Sequence, residues 1–258
     1  MELRQAELDV ALELAEWASN RILARPVEVT TKANAADHVT ETDREVEQHV
    51  RAVIAERLPG QVVVGEEYGG EAAADGGATW YLDPVDGTTN YAHGLPWSSF
   101  SLALIDADGP AVGVVADPYR GEVFSASRGG PALRNGEPVR CRATETLSGE
   151  VVTTEWLGYR PWEGMDSFLA RLSDVLCSTR IMGSTALSLV SVAAGRAAGC
   201  VIGRYNAIDG LAASFIAERA GALALDESRN RTVFPESGGI LVAAPGVAGE
   251  LWDAWRQA

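Results

Sequence analysis

Four acidic residues stand at the ends of two short apolar runs. Gln61-Val62-Val63-Val64 reads as a buried strand that stops at Gly65-Glu66-Glu67. Trp80-Tyr81-Leu82 reads as a second strand and runs straight into Asp83-Pro84-Val85-Asp86-Gly87-Thr88. A carboxylate at a strand end is held by the sheet and directed away from it. If the two strands lie side by side, four carboxylates converge. Like charges that close cannot all stay ionised unless a cation offsets them. Oxygen-only ligands select a hard divalent cation, Mg²⁺ first. Pro84 stiffens the turn, so the Val85 carbonyl can serve as a further ligand. Gly87-Thr88-Thr89-Asn90 reads as a helix start, whose exposed N–H groups receive an anion, and Gly87 lets an oxyanion come close to the backbone. Metal ligands beside an anion site are what metal-assisted phosphate chemistry needs, with attacking and leaving oxygens held in line. Each piece alone has a plainer reading. Asp-Pro-x-Asp-Gly is commonly a solvated turn, and Glu66-Glu67 a polar strand end. The spacing of a calcium-binding helix–loop–helix is not met. The joint pattern is far rarer than its pieces.

The flanking segments supply the elements that position these residues. The N-terminal stretch predicts an amphipathic helix with Leu3, Val10, Leu14 and Trp17 on one stripe, ended by Arg25-Pro26. Residues 30–38 read as a polar loop. Thr42-Asp43-Arg44-Glu45 predicts a capping box, which puts Asp43 in the first turn of a second helix. Val46, Val50, Val53 and Leu58 form its apolar stripe, and Pro59-Gly60 closes it. Residues 68–79 read as a surface loop, and 99–105, 111–116 and 122–127 as antiparallel strands. Asn135-Gly136 marks a hairpin turn. The second half alternates strands (151–154, 200–202, 239–244) with helices (165–176, 185–194, 209–220), the last ended by Gly221. The expected organisation is two tightly associated halves, residues 1–142 (α+β) and 143–258 (α/β).

Composition narrows the function further. The chain has 258 residues, a formal net charge of −15 and a single lysine, Lys32. Nucleic-acid binding rests on basic contacts to phosphates, so this balance argues against it, and equally against anionic lipid. No apolar stretch is long enough for a membrane span, and the N-terminus lacks a signal-peptide core. Cys141, Cys177 and Cys200 are far apart and odd in number, which fits buried thiols in a reducing cytoplasm.

Taken together, the motifs resemble the inositol monophosphatase family. The resemblance rests on Asp37-His38-Val39-Thr40-Glu41-Thr42-Asp43, Val63-Val64-Gly65-Glu66-Glu67, Trp80 through Tyr91, and Asp209 opening an Ala-rich helix that ends in Glu218-Arg219-Ala220-Gly221. It implies a layered α/β/α/β/α sandwich. Glu66, Asp83 and the Val85 carbonyl would bind one Mg²⁺, and Asp83, Asp86 and Asp209 a second. Glu67 would lie close by, either behind the metal ligands or at a third metal. The catalytic set would be Asp43 and Thr88, which orient and deprotonate the attacking water, with Glu66. The backbone of Gly87 and Thr88 would hold the phosphate. Residues 1–142 would then carry most metal ligands, and 143–258 Asp209 and much of the substrate wall. A homodimer and inhibition by Li⁺ are implied as well.

Three departures lie at the substrate end. Family members often place a glutamate that reads a sugar hydroxyl where Ile202 stands, and Trp where Ile208 stands. The small-residue run after Asp209 is shifted. Gly183, Ser184 and Thr185 resemble the family's other substrate segment, and Arg204 or Asn206 can supply a different polar contact. The expectation is therefore a Mg²⁺-dependent phosphomonoesterase acting on a small polyol or sugar phosphate. Inositol monophosphate is the first guess. Histidinol phosphate, another sugar phosphate, fructose 1,6-bisphosphate and a 3′-phosphonucleotide are the alternatives. A regulatory binding module on an inactive phosphatase fold is the non-enzymatic one.

Overall fold

The computed structural model describes residues 4–24, 29–31 and 38–256. Arg25, Pro26, Lys32 and Asp37 lie outside the described residues. Helix α1 (Gln5–Leu23) buries Leu8, Ala11, Leu14, Ala15, Ala18 and Ile22. Val10 and Leu14 of the expected stripe are buried with them, and Trp17, half-buried at the edge of this core, stacks on His49 with ring centroids 3.9 Å apart, while Leu3 lies outside the described residues. The stretch read as a polar loop is bounded by two short strands, β1 (Val29–Thr31) and β2 (His38–Thr40), paired antiparallel. Helix α2 (Glu41–Arg57) begins earlier than expected. Thr40, not Thr42, is the N-cap, and Asp43, not Glu45, closes the capping box. Thr42 lies inside the first turn, where its hydroxyl meets the Tyr91 hydroxyl at 3.0 Å. Asp43 is still in that first turn.

Helices α1 and α2 cover one face of a seven-stranded sheet. Its order is β3 (Val62–Gly65), β4 (Thr79–Asp86), β5 (Ser99–Asp106), β6 (Gly109–Asp117), β7 (Glu122–Ser127), β8 (Leu133–Arg134) and β9 (Glu137–Pro138). Only β3 and β4 are parallel; the rest alternate. The register Gly65↔Leu82 sets Glu66 next along from Asp83's neighbour, so the two acidic strand ends do lie side by side. A short helix, α3 (Thr88–Ala92), follows β4. Asn135 and Gly136, both at positive φ, make the hairpin turn between β8 and β9.

The second sheet has the order β11 (Ser178–Arg180), β10 (Val151–Thr154), β12 (Gly199–Ile202), β14 (Ile240–Ala243), β13 (Leu223–Asp226). Helices α5 (Thr185–Ala193) and α6 (Ala207–Arg219) lie between the two sheets, and α6 touches β4 to β7 on one side and β13 and β14 on the other. This explains why both are apolar nearly all round, as a helix buried on every face must be. Helices α4 (Met165–Asp174) and α7 (Ala248–Arg256) cover the outer face. The layers therefore run α/β/α/β/α, as the sequence implied. Strands β11 and β13 and helix α7 fall where no element is expected from the sequence. The three cysteines are free thiols. Among the described residues no helix is long and apolar enough to cross a membrane.

Candidate active site

The end of β4 is irregular, and the irregularity builds the site. Asp83 pairs with Ser101 of β5 and Asp86 with Ser99, so three steps on β4 match two on β5. In a regular strand Asp83 and Asp86 would face opposite sides. The bulge absorbs the extra residue and brings both acids to one face. Pro84 has no N–H to lose from the ladder there. Gly87 then turns the chain into α3 at φ 90°. A Cβ on it would sit 2.8 Å from the Gly183 carbonyl oxygen, so only glycine fits.

Asp83 is 3% exposed, and its Oδ1 accepts the Val85 N–H at 3.0 Å. Burial first, then the charges of Glu66, Asp86, Asp209 and Asp43, hold its carboxyl well above the usual range. Asp86 is also buried, and burial pushes it up to about 6 although hydrogen bonds pull it down. Its Oδ2 accepts from the Ser184 hydroxyl, from Ser99 Oγ at 3.2 Å and from Ala186 N at 2.8 Å, and its Oδ1 from Thr185 N at 3.1 Å. Asp86 thus fastens the end of β4 to the N-terminus of α5. Asp209 lies in the first turn of α6. That helix is capped by Asn206, which accepts from Ile208 N and donates to Asp209 Oδ1 at 3.3 Å.

Thr88 Oγ stands 2.9 Å from the Val85 carbonyl oxygen and 3.2 Å from Asp43 Oδ1. Its single proton serves one acceptor at a time. Burial, and next to it the charge of Glu66, raise Asp43 to about 6 against hydrogen bonds from Thr40 and Thr88. Asp43 Oδ2 meanwhile accepts the Thr40 N–H at 2.8 Å and the Thr40 hydroxyl at 2.5 Å. One carboxylate caps α2 with one oxygen and faces Thr88 with the other.

These residues surround a cavity of about 1320 Å³. Glu66, Asp86, Gly87, Thr88, Gly183, Thr185, Arg204, Asn206 and Asp209 line it. Asp43, Asp83, Val85 and Ser184 are buried behind its wall. Glu67 does not line it. The donor chemistry fits a hard divalent cation: every group is an oxygen, and each charge acting on Asp83 is another carboxylate. The carboxylates flank a common space without closing on a point. Among the described residues no three His, Cys, Asp or Glu side chains sit close enough to enclose an ion as they stand.

Two buried acids that the sequence reading passed over hold the site's loops. Glu47 of α2 accepts the Glu67 N–H at 2.8 Å and the Tyr68 N–H at 3.1 Å, and so fixes the turn after β3. Its pairing with Arg51 one helical turn on was a readable signal. Glu155, directly after β10, accepts Met182 N at 3.1 Å, Gly183 N at 2.7 Å and the Ser188 hydroxyl at 2.5 Å. Burial raises it to about 7. It follows its strand as Glu66 follows β3, and that parallel was the missed signal.

The raised acids predict how stability depends on pH. A carboxyl at about 6 in the folded chain and 3.8 unfolded binds its proton more tightly when folded. Its stabilising effect is complete below 3.8 and is lost as pH rises through about 6. Urea unfolding in EDTA should therefore show stability falling between pH 4 and 7, and Asp83→Asn should flatten the fall. A rise over that range would contradict the electrostatics described.

Comparison with known proteins places the chain. Residues 2–256 match the model of the inositol monophosphatase family. The chain belongs to the inositol monophosphatase family. It is 34% identical over 252 residues to a Nus factor SuhB of Pasteurella multocida, covering 95% of this chain and 93% of the relative. It is 32% identical to an inositol-1-monophosphatase of Synechocystis, covering 85% and 78%. A solved IMPase structure from Thermotoga maritima superimposes with a TM-score of 0.87 at 29% identity, covering 96% of each chain. The family is one of phosphatases, and the phosphatase class of this chain follows from membership.

Proposed function

We propose that the chain is a Mg²⁺-dependent phosphomonoesterase for a small alcohol phosphate, with inositol monophosphate the first substrate to try. The observation that carries this reading is Asp83, buried among the four carboxylates of Glu66, Asp86, Asp209 and Asp43. Glu66, Asp83 and the Val85 carbonyl would hold one Mg²⁺, Asp83, Asp86 and Asp209 a second, and Glu67 would approach a third. Bound there, Mg²⁺ would lower the pKa of water and offset charge on the phosphoryl oxygens. The chain's own groups do the rest. The N–H groups of Gly87 and Thr88 orient the phosphate. The Thr88 hydroxyl takes the proton of the attacking water and passes its own to Asp43 Oδ1, 3.2 Å away. Gly183, Thr185, Arg204 and Asn206 contact the alcohol, while Ser184, also expected there, is buried behind them with its hydroxyl on Asp86. Residues 1–142 then carry most of the reacting end, and 143–258 Asp209 and much of the alcohol's wall. On the family's pattern the chain works as a Li⁺-inhibited homodimer in the cytoplasm.

An inactive binding module would be expected to have lost at least one of Asp43, Glu66, Asp83, Asp86, Thr88 and Asp209, and all are present. Purified protein should release phosphate from at least one member of a panel of inositol, histidinol, sugar and nucleotide phosphates with Mg²⁺, and from none in EDTA. No release from any of them would sink the reading.

A further inference from the structure

We propose that the alcohol half of the substrate carries an aromatic ring, seated against Trp156. This rests on the phosphomonoesterase reading and names its substrate class. The cavity has a reacting end, at Asp86, Thr88 and Asp209, and a far wall made of different material. Trp156, Leu157 and Tyr159 follow β10, and Ile181 and Met182 precede α5; all five line the cavity. Trp156 is 49% exposed and Tyr159 51%. These five are half of the ten large apolar side chains left exposed among the described residues. Scattered exposed apolar groups need no explanation, but a cluster on one cavity wall does. Ile202 adds a sixth apolar side chain to the lining.

Two of the polar side chains near this wall are already committed. The Glu155 carboxylate is taken up by Met182 N, Gly183 N and the Ser188 hydroxyl. The Asn206 side chain caps α6 and reaches Asp209. A hydroxyl-rich alcohol would lose water against the apolar side chains of this wall, which offer it no partner, and that is costly. A flat ring loses little and gains contact with an indole face. One edge of the wall is held in place. The Met182 backbone is held at its N–H by Glu155 and at its carbonyl by Asn90 Nδ2, at 2.7 Å. A cavity of about 1320 Å³ exceeds the usual ~300–1,000 Å³ of ligand pockets and leaves room for a ring beyond the phosphate. In the reaction, water forms the new P–O bond, the P–O bond to the alcohol breaks, and the aryl alcohol leaves with a proton beside inorganic phosphate.

The test compares 2-phenylethyl phosphate, glycerol 1-phosphate and myo-inositol 1-phosphate. The wild type should prefer the aryl ester at least about tenfold in kcat/KM, mostly through KM. Trp156→Ala should cut the aryl-to-glycerol ratio at least about fivefold, and Trp156→Phe should retain it. Saturation-transfer NMR without added metal should show the phenyl protons on the wild type and not on Trp156→Ala. Equal or better use of myo-inositol 1-phosphate, or a ratio unmoved by Trp156→Ala, would overturn the proposal. So would a dimer that Trp156→Ala splits with the ratio unchanged, which would assign the wall to a second copy of the chain. If no ester is hydrolysed, the phosphatase reading falls, and the NMR contact alone decides whether the wall binds a ring.

Discussion

Asp83→Asn should lower Mg²⁺-dependent phosphate release by about 10³-fold or more, a barrier increase of ~4 kcal/mol, and leave the metal-free protein at least as stable as the wild type. The two halves of that expectation come from one environment. Asp83 is buried, and the groups acting on it are burial and four carboxylates, so its charge is unfavourable in the empty chain. The asparagine has the same shape. Its carbonyl can keep the one hydrogen bond described for the side chain, from Val85 N at 3.0 Å. What it loses is the charge shared between the two proposed cations. A ligand at 100 times its dissociation constant stabilises a fold by about 2.7 kcal/mol. Saturating Mg²⁺ should therefore raise the melting temperature of the wild type and not that of Asp83→Asn. The neighbouring change is less clean. Asp86 accepts four hydrogen bonds, so the amide of Asp86→Asn would turn an N–H₂ toward donors and cost about 1–3 kcal/mol. A wild-type rate for Asp83→Asn, or a lower melting temperature than wild type in EDTA, would remove Asp83 from the proposed site.

The parts of the fold legible in the sequence are those whose signal is local. Val62–Gly65 is a short apolar run that ends just before Glu66, and the run Trp80-Tyr81-Leu82 marks a strand that continues through Asp83 to Asp86. The helix after Asn206 is buried without a charged residue from Gly210 to Ala217 and stops just before Gly221. Other features were decided by distant partners. Both Thr40-x-x-Asp43 and Thr42-x-x-Glu45 satisfy a capping-box pattern, and the choice turns on where the side chains go. Thr42 meets Tyr91, 49 residues away, and Glu45 meets Arg21. The bulge that turns Asp83 and Asp86 to one side exists only because β5 pairs across it. The roles of Glu47 and Glu155 depend on loops they reach in space. Strand β11 reads Ser-Thr-Arg, an edge strand with no apolar pattern to give it away.

The pair of Thr88 and Asp43 should separate catalysis from stability. Thr88→Ala removes a hydroxyl that touches Val85 and Asp43 and caps nothing. It should lower turnover about 10²–10⁴-fold, the range a positioned proton acceptor contributes, with little change in melting temperature. Thr88→Ser keeps the hydroxyl and should keep most of the rate. Asp43→Asn should match that loss of turnover with little loss of stability. Its carbonyl oxygen can stand where Oδ2 now accepts the N–H and the hydroxyl of Thr40, which leaves an NH₂ facing Thr88 that takes no proton. The double variant should be barely slower than either single one, because the two groups serve one proton path and removing either interrupts it. Additive losses in turnover would mean that Thr88 and Asp43 act separately. The 3.2 Å contact between them would then serve the helix start and not the attacking water.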